Sequence, residues 1–81
     1  MKLPRDISGS DLAKALRRLG YQITRQTGSH LGLTTEEGGQ HHVTVPHHNS
    51  IKIDTLSGIL ADVAAHFNTS RDEVVQRLFA A

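Results

Sequence analysis

The chain has 81 residues, no cysteine and a formal net charge of +1. That length allows one modest core, burying only about 60–65% of the surface the unfolded chain exposes, and the missing cysteines exclude disulfide frameworks and thiolate metal sites. The charge balance excludes a uniformly basic nucleic-acid binder, and the opening MKLPRDISGSD contains no apolar run of the kind that makes a signal peptide or a membrane span.

The first element is a helix over residues 9–19. Leu12, Ala15, Leu16 and Leu19 repeat at the spacing of one buried stripe. Ser8 is placed to cap it, Asp11 follows three residues on as a capping-box variant, and Ile7 with Leu12 has hydrophobic-staple spacing. Gly20 stands where a left-handed residue ends a helix.

Three strands follow, Tyr21–Thr27, His30–Thr35 and Gln40–Pro46, joined by Gly28-Ser29 and by Glu36–Gly39. Short Gly-containing connections of this kind make two hairpins. Alternation puts Tyr21, Ile23, Leu31, Leu33, Val43 and Val45 on an apolar face. Gln22, Thr24, Gln26, His30, Gly32, Thr34, His42 and Thr44 fall on the opposite, polar face, with His30 beside the hydroxyls of Thr24 and Thr44.

Residues His47–Ile53 connect to a second helix carrying Leu56, Ile59, Leu60, Val63 and Phe67, capped by Asp54 or Thr55. Ser70 and Glu73 form a capping box for a short third helix, whose Val74, Val75, Leu78 and Phe79 join the core. The expected architecture is α+β: α-β-β-β-α with an additional C-terminal helix, the helices packed on one face of a three-stranded antiparallel sheet. Residues 1–81 are expected to form a single domain.

The charges are unevenly placed. Seven of the nine basic residues lie at or before Lys52, and five of them lie between Lys2 and Arg18. A local basic surface holds phosphates without a high overall charge, although Lys14, Arg17 and Arg18 also fit the plain solvated face of a helix.

Gly28-Ser29-His30 is the first chemical candidate. An imidazole gives or takes a proton near neutral pH. A histidine that starts a strand after a tight turn is held on a rigid element. Gly28 allows close approach of a ligand, and its N–H is free to meet a phosphate oxygen. Against this stands the ordinary solvated histidine. The pairs His41-His42 and His47-His48 raise a metal hypothesis, but neighbouring strand residues point to opposite faces and zinc needs three or four converging ligands. No metal and no cofactor is expected; these read as ordinary surface histidines, with His47 or His48 a candidate contact for RNA. Leu60 to Leu78 has the layout of a helix-turn-helix, with Ala64 small enough for a helix crossing and Asn68 suited to the turn. Asp72 and Glu73 at the start of its second helix would repel DNA phosphates, which favours a core-completing helical hairpin.

Taken in order, KLPRDISGSDLAKALRRLGY, RQTGSH, HVTVPHH and IKIDTLSGIL resemble the HicA toxin family from Lys2 to about Leu60. The resemblance implies a fold like the double-stranded-RNA-binding domain. It also implies an endoribonuclease toxin, an mRNA interferase, neutralised by a cognate HicB-type antitoxin; the free toxin is expected to be monomeric and, lacking cysteine, to fit a reducing cytoplasm. It carries the catalytic role onto His30, with Gly28 and Ser29 beside it. RNA supplies its own nucleophile, the 2′-hydroxyl, so metal-independent cleavage asks the protein only for proton transfer, alignment and charge stabilisation. Lys14, Arg17, Arg25 and Lys52 are the candidates for positioning the RNA backbone. Two departures stand out: Leu31 and Gly32 follow His30 where many members have a histidine or an aromatic, and Phe67-Asn68 replaces a glycine before the last helix. The alternatives are a non-catalytic RNA-binding module of the same fold and a DNA-binding regulator using residues 60–78.

Overall fold

A computed structural model describes residues 3–80. Lys2, where the family resemblance begins, lies outside the described residues, as do Met1 and Ala81. Helix α1 spans Gly9–Leu16 and continues as a 3-10 turn, Arg17–Leu19. Strands β1 (Gln22–Gln26), β2 (His30–Thr35) and β3 (His41–Pro46) follow, then helices α2 (Ile53–His66) and α3 (Arg71–Phe79). The sheet is antiparallel with the order β1-β2-β3, so the α+β plan read from the sequence is the observed one. Among the described residues, no helix is long and apolar enough to cross a membrane.

The ends of α1 explain its length. The Ser8 hydroxyl accepts the Asp11 N–H at 3.0 Å, and Ile7 and Leu12 are both buried. At the other end Gly20 takes φ +85°. Its N–H donates to the Arg17 carbonyl and that of Tyr21 to the Leu16 carbonyl, the paired bonds of a Schellman motif. This closure tightens the last turn of the expected 9–19 helix into the 3-10 form. Gly9 is required by contact: a Cβ there would lie 2.1 Å from the Pro46 carbonyl oxygen. The start of α1 is therefore pressed onto the end of β3, and the Gly9 N–H donates to the His48 carbonyl at 2.9 Å.

Leu12, Leu16, Tyr21, Leu31, Leu33, Val43 and Val45 meet Leu56, Leu60, Val63, Val74, Val75 and Leu78 in one core on the helix side of the sheet. Thr35 is the buried polar residue, and its hydroxyl donates to the Leu19 carbonyl at 3.0 Å. Helix α2 starts two to three residues earlier than expected. Its N-cap is Lys52, which makes no side-chain capping bond, and Asp54 stands in the first turn, where its charge favours the helix dipole. At its far end Asn68 takes φ +54°, and the N–H groups of Asn68 and Thr69 donate to the Ala65 and Ala64 carbonyls. Asn68 thus performs the left-handed turn that glycine usually makes. Ser70 caps α3 by accepting the Glu73 N–H at 3.1 Å.

The alternation expected for β1 fails at one place. Ile23 pairs with Leu33, but Arg25, not Thr24, comes next opposite Gly32, and Gln26 pairs with Leu31. Thr24 is an extra residue, a β-bulge. Gln26 therefore sits beside Leu31 at the helix-side edge, not on the polar face, while Arg25 moves to the polar face. Ile23 is 40% exposed despite its place in the apolar pattern, in line with the rest of β1, an outer strand whose residues are all exposed.

Candidate active site

His30 opens β2 on the face that carries no helices, paired with Pro46. Its position is fixed by short-range bonds. The Thr27 N–H donates to the His30 carbonyl at 2.9 Å, and the His30 N–H donates to the Thr27 hydroxyl at 3.1 Å. The Ser29 hydroxyl lies 2.9 Å from His30 Nδ1. A hydroxyl both donates and accepts, so Ser29 holds the ring in either tautomer and in the protonated form. His30 is exposed and its Nε2 makes no hydrogen bond among the described residues. The ring is thus fixed at one nitrogen and open at the other, which is the arrangement a general acid or base needs.

Gly28 has no positive φ, and a Cβ built there meets nothing within 4 Å. Neither the turn nor its packing requires glycine. Its remaining effect is to leave the backbone beside His30 open to an approaching group.

The other histidines differ from His30. His42 Nδ1 is 2.8 Å from the Thr34 hydroxyl, which is 2.9 Å from that of Thr24. The expected Thr24 neighbour of His30 therefore belongs to His42, further along the sheet. Thr44, opposite Gly32, remains diagonal to His30. His41 and His66 stack with ring centroids 4.4 Å apart. Burial, with the Asp62 carboxylate adding to it, pushes the Tyr21 phenol up to about 12. The phenol stays protonated, its oxygen 2.7 Å from His41 Nδ1 in a hydrogen bond, while His41 Nε2 faces Asp62 at 3.4 Å. His66 Nε2 donates to the Glu37 carbonyl at 2.8 Å. Among the described residues no three His, Asp, Glu or Cys side chains are grouped to hold a metal ion.

The basic candidates separate into three places. Arg25 shares the open face with His30, opposite Gly32, whose added Cβ would stand 3.2 Å from that of Arg25. Without the bulge, alternation would have turned Arg25 toward the helices. Lys14 and Arg17 line a small groove between α1 and the end of the sheet, together with Gln26 and His47. Lys52 lies at the start of α2 in a separate depression with Arg5 and Asp6; the structure does not bring it to His30. His47, one of the two histidines named as candidate RNA contacts, is tied to the Ser29-His30 turn: its N–H donates to the Ser29 carbonyl at 2.8 Å.

In the helical hairpin, Val74, Val75 and Leu78 face the core, and Arg71 and Arg77 are engaged by Ser57 and Glu73. The second helix of the helix-turn-helix layout thus completes the core.

Three antiparallel strands with every helix on one side define an α+β protein of the double-stranded-RNA-binding plan, with a histidine exposed at the end of its bare face. The sequence pattern of a family described as the HicA toxin of bacterial toxin–antitoxin systems matches residues 9–64. The chain belongs to this family of toxin ribonucleases. Neither the curated proteins nor the solved structures contain a significant match.

Proposed function

We propose that residues 1–81 form a single toxin domain that cleaves mRNA with His30 as its acid–base catalyst and is held inactive by a HicB-type antitoxin. The observation that carries this reading is the half-engaged imidazole, with Ser29 at Nδ1 and nothing at Nε2 among the described residues. In this mechanism Nε2 takes the proton from a ribose 2′-hydroxyl. The 2′-oxygen attacks the adjacent phosphorus and the bond from phosphorus to the 5′-oxygen breaks; the departing 5′-oxygen takes a proton from water while the His30 imidazolium returns its own to solvent, leaving a 2′,3′-cyclic phosphate and a 5′-hydroxyl. Arg25, on the same face, stabilises charge on the phosphate. The open backbone at Gly28 and Ser29 lets the phosphate come close. Lys14, Arg17 and Lys52 serve the flanking RNA. This mechanism requires no metal, because His30 supplies the proton transfer and Arg25 the charge stabilisation. The deciding experiment is single-turnover RNA cleavage by wild-type and His30→Ala protein, with thermal unfolding of both. A folded His30→Ala protein that cuts at the wild-type rate refutes the assignment.

A further inference from the structure

On the helix side of the sheet, around the end of β2 from His30, lies a groove of about 170 Å³. Lys14 and Arg17 form one wall and Gln26 and His47 the other, with Ser10 at the His47 end, where its hydroxyl is 3.3 Å from His47 Nε2. No carboxylate lines this groove, and among the described residues Lys14 and Arg17 form no ion pair. Ile23, one of two large apolar side chains left exposed among the described residues, lies in it as well.

Building on the ribonuclease reading, we propose that this groove holds one unpaired nucleotide of the RNA next to the phosphate that is cut. The base rests on Ile23 and the phosphates meet Lys14 and Arg17. Single-stranded nucleic acid is generally held by a cationic groove with aromatic platforms for the bases; here the platform is the aliphatic Ile23, which offers apolar contact in place of stacking. The charge of the groove fits an anionic strand, since Lys14 and Arg17 line it and no carboxylate does. Its mouth adjoins the catalytic turn on two strands. Gln26 pairs with Leu31, the residue after His30, and the His47 N–H holds the Ser29 carbonyl. A strand running from His30 to the groove must bend sharply over Ser29 from one face of the sheet to the other. A stiff duplex resists such a bend, whereas a single strand makes it readily. The double-stranded-RNA plan is thereby used to select unpaired RNA.

The test is equilibrium binding of a fluorescent 2′-O-methyl single strand, which cannot be cleaved, and of the matching duplex, over a range of salt. Wild-type protein is expected to prefer the single strand. The double variant Lys14→Gln, Arg17→Gln should lower the slope of log affinity against log salt by about 1.4, since each lost single-strand phosphate contact removes about 0.7. Ile23→Thr keeps a β-branched strand residue and should weaken single-strand binding about fourfold, the loss of about one methylene of buried apolar contact, at unchanged slope. Thermal unfolding confirms that each variant is folded. An unchanged salt slope, equal affinity for the duplex, or variants that lose antitoxin binding but keep RNA binding would each overturn the proposal. Because the probe is not cut, these readouts are independent of whether the wild type cleaves ordinary RNA.

Discussion

Arg25 stands directly opposite Gly32, two residues along β2 from His30, because Thr24 is an extra residue in β1. Arg25→Ala should reduce RNA cleavage about tenfold or more, equivalent to about 1.4 kcal/mol of transition-state stabilisation, with little change in stability. Gly32→Ala tests the same contact from the other side. Its Cβ would press on that of Arg25 at 3.2 Å, so cleavage should fall while the melting temperature holds. Full activity in both variants would detach Arg25 from the reaction.

For His30→Ala the expected loss in cleavage rate is about 10²–10⁴-fold, the usual contribution of positioned acid–base catalysis. Stability should change by only about 0.5 kcal/mol, as for other exposed sites. His42→Ala is the control on the same face. Its ring is engaged by Thr34, and most activity should remain.

Cleavage is expected to survive EDTA. Activity abolished by the chelator and restored by one divalent ion would replace the histidine mechanism with a metal-assisted one.

The antitoxin is expected to cover His30 or close the path to it. Hydrogen exchange of the Thr27–His30 turn and RNA cleavage, each measured with and without antitoxin, read this out directly. A complex that cuts RNA at the free toxin's rate would refute it.

Alkaline pH should destabilise the fold through Tyr21. Its phenol titrates near 10.0 when unperturbed and is raised to about 12 in the folded protein. The folded state therefore holds this proton more tightly than the unfolded one. The resulting stability is fully present below pH 10 and is lost as pH rises toward about 12. Tyr21→Phe should be less stable at neutral pH by about 0.5–1.5 kcal/mol, the net worth of its hydrogen bond to His41, and should show a flatter melting profile across that alkaline window.

Most of the architecture was legible because local signals and burial pattern agreed. Ser8 and Ser70 cap where expected, Gly20 and Asn68 turn where expected, and β2 spans the expected residues. The bulge was not legible, because strict alternation has no place for a residue that breaks it. That one position misassigned Gln26 and left Arg25 without a face. The start of α2 was hidden for a related reason: Lys52 caps through backbone geometry alone, which leaves no side-chain signature. The role of Ser29 in fixing the His30 ring depends on side-chain geometry in a turn, and the pairing of His47 with Ser29 crosses two strands. Neither is written in a local pattern.

The extra residue in β1 also bears on how copies of the protein meet. β1 is an outer strand, and an outer strand offers unpaired N–H and C=O groups to any passing chain. A bulge kinks and over-twists the strand that carries it, so the free edge at Thr24 cannot match a straight partner. β3, the opposite border, ends at Pro46, which has no N–H to give. Each border of this small sheet thus carries one position that interrupts the addition of a further strand, Thr24 on β1 and Pro46 on β3, and the residue that places Arg25 on the open face is also the one that breaks the edge of β1.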